Sequence, residues 1–140
     1  MDGRSDWSEV ASVANFEVAE APWCLGVGEV VEIDGVFRKV RRELGVTAFG
    51  VNALVLAPGT VSRPHFHDEQ DELYFVHRGR ARFEVAGDSF ELDPGGVVHV
   101  ESTTPRRVTS IGEHDLVLLV VGAKEGYVGR DGHLAPPEAF

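Results

Sequence analysis

GTVSRPHFHDEQDELYFVHRG, residues 59–79, joins two strand-forming runs through an acidic turn, Asp68 to Asp71, and its reading decides the fold. In an extended segment residues i and i+2 project to one face, so His65 and His67 present their imidazoles side by side. Glu72, at the start of the following strand, adds a carboxylate, and two imidazoles with a carboxylate make a three-ligand set for one cation. Downstream, Pro94, Gly95 and Gly96 form a tight turn in DPGGVVHVE, residues 93–101, and the strand that follows is expected to carry His99 inward as a fourth ligand. Asp68, Glu69 and Asp71 offer competing carboxylates. Spacing favours Glu72, and the others are read as solvated groups that raise the local negative potential.

Outward from this stretch the chain breaks into short β-prone runs bounded by Gly, Pro, Asp or Ser: AFGVNALVLA, ELYFVH, ARFEV, SFELD, VVHVE, RRVTSI and DLVLLVVG. Short strands without helical patterns between them indicate an all-β fold, either a sandwich or a closed barrel whose closure protects the strand edges. EVVEIDGVFRKV, residues 29–40, predicts a hairpin with a type I′ turn at Asp34–Gly35. An amphipathic helix is expected only near residues 6–14, and the tail GYVGRDGHLAPPEAF is too rich in Gly and Pro for regular structure. The expected organisation is an N-terminal extension over 1–28, a barrel over 29–123 and a C-terminal tail over 124–140, with both ends accessory.

The 140 residues allow one domain, large enough to fold without disulfides or a structural metal, so a metal would serve function. A formal net charge of −10 argues against nucleic-acid phosphates or an anionic membrane as partner, since both call for clustered Lys and Arg. No apolar run approaches a membrane span, the N-terminus lacks the pattern of a signal peptide, and the single cysteine, Cys24, is read as an inert thiol. A cytoplasmic protein is the expectation. The chain also lacks a phosphate-cradling glycine loop leading into a helix and a Gly-x-Ser-x-Gly elbow.

Arg63 shares the parity of His65 and His67, which makes its guanidinium a candidate partner for a carboxylate or enolate substrate; the alternative is a rim arginine directed to water. Tyr74 shares the parity of Glu72 and is a candidate acid or orienting donor, with core packing beside Val76 as the favoured alternative. Phe66, Leu73 and Phe75 fall on the opposite face. His77, His114 and His133 are read as surface histidines. Arg41–Arg42 and Arg106–Arg107 are read as exposed salt-bridging pairs, although strand alternation would turn one member of each inward or toward an interface.

These intervals resemble the cupin superfamily. Its first motif, a Gly, five residues, His-x-His, three or four residues, a Glu, six residues and a Gly, is matched by Gly59, His65, His67, Glu72 and Gly79. The second, a Gly, five residues, Pro-x-Gly, two residues, a His, three residues and an Asn, is approximated by Gly87, Pro94, Gly96 and His99. Here six residues precede Pro94, and Thr103 stands in place of the Asn. The resemblance implies a small double-stranded β-helix, or jelly-roll, barrel. It implies one divalent transition metal (Fe, Mn, Ni, Co, Cu or Zn) held near one mouth by His65, His67, Glu72 and His99, a small-molecule ligand or substrate, and a homodimer. It implies no particular reaction.

The expected function is metal-dependent chemistry on a small oxygenated or carboxylated molecule. Dioxygenase-type chemistry is placed first, with Arg63 orienting the substrate and Tyr74 assisting proton transfer. The alternatives are a noncatalytic binding or sensing cupin, an isomerase or decarboxylase acting on a sugar or keto acid, and a structural barrel.

Overall fold

The computed structural model describes residues 29–30 and 33–140, so the N-terminal extension, the helix expected over 6–14 and Cys24 lie outside the described residues. Ten strands follow: β1 (Phe37–Arg38), β2 (Gly50–Leu56), β3 (His65–His67), β4 (Asp71–Arg78), β5 (Ala81–Val85), β6 (Asp88–Leu92), β7 (Val97–Val100), β8 (Arg106–Ser110), β9 (Leu116–Ala123) and β10 (Gly132–Leu134). They build two antiparallel sheets, ordered β1-β2-β9-β4-β7 and β10-β3-β8-β5-β6. A short helix α1 (Val40–Leu44) and a 3₁₀ turn at Pro137–Ala139 complete the described elements. The all-β, double-stranded β-helix architecture is the one expected, and the β-prone runs of the sequence coincide with β2 and β4 to β9. No helix among the described residues is long and apolar enough to cross a membrane.

Alternation along the strands places the core. In β4, Glu72, Tyr74 and Val76 are buried while Leu73 and Phe75 are exposed, and in β9 Leu116, Leu118 and Val120 are buried. These inner faces meet those of β5 and β8 in one cluster that includes Leu56, Tyr74, Phe83, Val108 and Leu118. Fully burying a side chain of this size is worth about 1.5–3 kcal/mol. A slip of one residue in β4 would turn that whole set outward, so burial fixes the register and, with it, the inward direction of Glu72. A second cluster of Ile33, Val40, Val51 and Ala53 lies on the other face of the first sheet, where α1 packs on β2.

Three local expectations fail. The Asp34–Gly35 turn does not close a hairpin: Phe37 and Arg38 pair with Leu54 and Ala53 of β2, and Val40–Leu44 is helical, ending at left-handed Gly45. An isolated two-stranded hairpin is marginal, and pairing with the already formed β2–β9 ladder wins. The tail is not irregular either, because Gly132–Leu134 pairs antiparallel with His65–His67 and covers what would otherwise be an open edge of the second sheet.

The third concerns where the type I′ geometry lies. It occurs at Ala86–Gly87, the two-residue loop between β5 and β6, with φ of 48° and 93°. Left-handed backbone costs a residue with a β-carbon about 1–2 kcal/mol, and Asn tolerates it better than Ala. Ala86→Asn is therefore expected to stabilise the protein by about 0.5–1 kcal/mol. The measurement is the urea midpoint at unchanged slope, and an unmoved or lowered midpoint would contradict the turn assignment.

Candidate metal centre

His65 and His67 enter from β3 and Glu72 from β4, with the turn 68–70 folding one strand over the other sheet. His65 Nε2 and His67 Nε2 lie 3.4 and 3.0 Å from Glu72 Oε1, and one ligand atom from each residue falls within 4.8 Å of the others. The two rings meet edge to face, with centroids 4.9 Å apart. His65, 27% exposed, forms the open side, while His67 and Glu72 sit deeper.

Both imidazoles are held from behind. His65 Nδ1 lies 3.0 Å from the Arg63 carbonyl and His67 Nδ1 lies 2.9 Å from Asp131 Oδ1. Each acceptor requires a proton on Nδ1, which leaves the Nε2 lone pair of a neutral ring directed at the site. His67 Nε2 is close to Glu72 in distance but poorly aligned with it, so this buried nitrogen has no hydrogen-bond partner among the described residues. A buried polar atom left in this state demands an explanation. A first-row divalent ion supplies one, because two imidazole nitrogens and a carboxylate are a donor set such ions accept.

Charge is arranged to suit a cation. Burial opposes ionisation of Glu72, but the close approach of the His65 and His67 imidazoles, the positive charge His67 gains when protonated and the Tyr74 hydroxyl outweigh it and hold the carboxyl well below its usual range. Tyr74 Oη donates to Glu72 Oε1 at 2.8 Å, and burial together with that carboxylate pushes the phenol up. Tyr74 thus packs in the core and orients Glu72 at once. Burial disfavours charge on His67, yet Glu72 and Asp131 reverse the balance and raise its pKa, so a proton and a metal ion compete for this centre. For Asp131, burial is likewise outweighed, here by donors from Gln70, Glu69 and His67, and its carboxyl lies well below the usual range.

The other expected residues fall differently. In β7, His99 pairs with Leu73 on the outer face, while Val98 and Val100 pair with Tyr74 and Glu72 and pack on the core. The His99 side chain is 60% exposed, and its Nε2 lies 3.9 Å from Asp71 Oδ2. The inward fourth ligand is corrected accordingly: apolar burial of Val98 and Val100 sets the parity against it. Arg63 is exposed, off the strand, and touches the centre through its carbonyl.

Arg106, expected in an exposed pair, is 1% exposed and faces inward opposite His65. Its Nη1 stands 3.9 Å from Glu72 Oε1, and its Nη2 donates to the Glu101 carbonyl at 3.0 Å. Arg107 does form the expected surface pair, bidentate to Glu84 at 2.9 and 2.8 Å. Asp68 and Asp71 are engaged rather than merely solvated, with His133 Nε2 at 2.8 Å and the Ser102 N–H at 2.9 Å. Asp131 and Gln70 are the features that sequence reasoning missed; alternation did turn one member of the Arg106–Arg107 pair inward or toward an interface, but the reading favoured exposure for both and did not single out Arg106. For Arg106 the signal existed, since it shares parity with apolar Val108. A separate open cleft of about 700 Å³ is lined by Arg78, Glu113 and His114 near the far end of β4 and includes none of the cluster.

A family model described as a cupin domain matches residues 53–122, half of the chain, and spans both histidine motifs. The chain belongs to the cupin superfamily. This cupin is 34% identical over 88 residues to an uncharacterised protein of Streptomyces coelicolor, an alignment covering 63% of this chain and 79% of that one. Among solved structures it resembles a double-stranded β-helix protein from Klebsiella pneumoniae, with TM-score 0.58, 17% identity, and 65% and 77% of the two chains covered. It also resembles a sugar phosphate isomerase of the cupin superfamily from Silicibacter pomeroyi, with TM-score 0.58 and 25% identity over 63% of this cupin and 58% of that chain. A predicted oxalate decarboxylase from Thermotoga maritima shares the fold at TM-score 0.56 and 21% identity, covering 63% of this cupin and 78% of that chain.

Proposed function

We propose that this cupin holds one divalent transition metal through His65, His67 and Glu72 and acts on a small oxygenated or carboxylated molecule, with dioxygenase-type chemistry preferred. The observation that carries this reading is the convergence of two Nε2 atoms and a carboxylate oxygen, one of those nitrogens being buried without a hydrogen-bond partner among the described residues. With His99 on the outer face, the remaining set of two histidines and one carboxylate is the donor combination of non-haem iron oxygenases, which leave coordination positions open. A bound divalent ion supplies Lewis acidity toward a substrate oxygen. The chain's own residues do the positioning: Tyr74 holds Glu72, and the Arg63 carbonyl and Asp131 hold the imidazoles. We assign the exposed Arg63 guanidinium the role of gripping a substrate carboxylate at the rim. An isomerase is the second reading, supported by the 25% identity to the sugar phosphate isomerase.

Protein from metal-supplemented cells is expected to carry about one transition-metal ion per chain by elemental mass spectrometry. A chain that emerges without metal and takes up no Co2+ defeats the proposal. Iron, copper or nickel directs the search to oxygen-uptake assays, whereas zinc or manganese favours the isomerase reading. Arg63→Ala is expected to keep the metal and to weaken small carboxylates roughly tenfold by calorimetry. Unchanged carboxylate binding removes Arg63 from the site.

A further inference from the structure

We infer that Asp131, which lies in the tail beyond the matched cupin stretch, is a positioning residue of the metal centre: it holds the proton on His67 Nδ1 and thereby keeps the Nε2 lone pair free for a cation. Its consequence for binding rests on the metal reading above; its consequence for the imidazole does not. Asp131 is buried, and both of its carboxylate oxygens accept two hydrogen bonds each. Oδ2 accepts the backbone N–H groups of Glu69 and Gln70, both at 2.9 Å. Oδ1 accepts Gln70 Nε2 at 2.5 Å and His67 Nδ1 at 2.9 Å. The Asp131 carbonyl accepts the Asp68 N–H at 3.0 Å, so backbone and side chain together fasten the turn that follows His67.

The arrangement is built from three separate parts of the chain. Gln70 also donates to the Val128 carbonyl at 3.2 Å, and its amide lies against Gly122 at the end of β9, where a β-carbon would overlap Gln70 Oε1. The tail, the turn 68–70 and β9 therefore fix the carboxylate before it meets the imidazole. A group serving only to fasten the tail would have no need of His67. The contact falls on the ring nitrogen opposite the one facing Glu72, and an ionised carboxylate can only accept there. Outer partners of this kind set the tautomer and orientation of a metal-binding histidine.

Asp131→Asn separates this role from fastening. The asparagine oxygen is expected to stay on the Glu69 and Gln70 backbone N–H groups, whose direction the turn fixes, while the Gln70 side-chain amide, which now donates to Oδ1, turns to offer its oxygen to the new amide nitrogen. The amide nitrogen then faces His67 Nδ1, which must accept, and the ring proton moves to Nε2. Long-range 1H–15N correlation spectra of metal-free, full-length protein at alkaline pH are expected to show the Nδ1–H tautomer for His67 in the wild type and Nε2–H in the variant. Co2+ affinity, measured by competition with a chelating dye, is expected to fall 10- to 100-fold in Asp131→Asn. His133→Ala, which breaks the 2.8 Å contact of the tail with Asp68 without touching Asp131, is expected to leave both readouts unchanged.

An Nε2–H tautomer in the wild type overturns the inference without need of any variant. It is also overturned if Asp131→Asn keeps the Nδ1–H tautomer, or if His133→Ala loses as much affinity. A wild-type chain that binds no Co2+ defeats the metal reading instead, and the tautomers then decide the role of Asp131 by themselves.

Discussion

Metal content is expected to vanish on purification of His67→Ala or Glu72→Gln and to persist in His99→Ala. Each of the first two removes one of the three atoms that converge within 4.8 Å. The loss in affinity should exceed the roughly 10- to 100-fold typical of an outer partner. Neither change should prevent folding. His67→Ala leaves Asp131 with the Glu69 and Gln70 donors, and Glu72→Gln keeps an oxygen for the Tyr74 hydroxyl. His99 is the informative control, because spacing to Pro94 and Gly96 makes it a ligand and strand register makes it a surface group. Elemental analysis and Co2+ titration of the three variants read the result directly. Metal retained in both His67→Ala and Glu72→Gln sinks the site, and metal lost in His99→Ala would place β7 one residue out of the register described.

What was legible in the sequence was whatever a strand decides locally. His65 and His67 share a face because they stand two apart, and Glu72, Tyr74 and Val76 share one because Leu73 and Phe75 take the other. Val97-Val98-His99-Val100 carries no such information: apolar residues occupy both parities, so only the pairing of Leu73 with His99 shows which face turns inward. Asp34–Gly35 satisfied a turn rule and lost to tertiary pairing, while the true type I′ turn hid behind Ala86. Asp131 reaches His67 across 64 positions of sequence, through a tail strand that pairs only because β3 offers an edge. No composition rule for a Gly-rich tail can report a contact created by the sheet it joins.

Arg106→Met is expected to destabilise the protein markedly and, at the same time, to tighten its hold on a divalent cation. The guanidinium is buried and donates to the carbonyls of Val100, Glu101 and Ser102 across the connection from β7 to β8. Removing one partner from a buried charged arrangement costs about 3–5 kcal/mol. Methionine retains much of the volume, so little of that loss would come from an empty cavity. Arg107→Ala, the neighbour that pairs with Glu84 at the surface, is expected to cost less than about 1 kcal/mol. The contrast between adjacent arginines, read from urea midpoints, tests the inward face of β8.

The second half of the prediction follows from the 3.9 Å between Arg106 Nη1 and Glu72 Oε1. Arg106 supplies positive charge beside the carboxylate that a metal must approach, so it stabilises the metal-free centre and repels the ion. Without it, Glu72 gains more from Co2+, and by linkage Co2+ should restore more stability to Arg106→Met than to the wild type. Lower stability with unchanged Co2+ affinity would make Arg106 a donor to the β7–β8 connection and nothing more. Lower stability with higher affinity would identify it as the internal cation whose place beside Glu72 the metal shares.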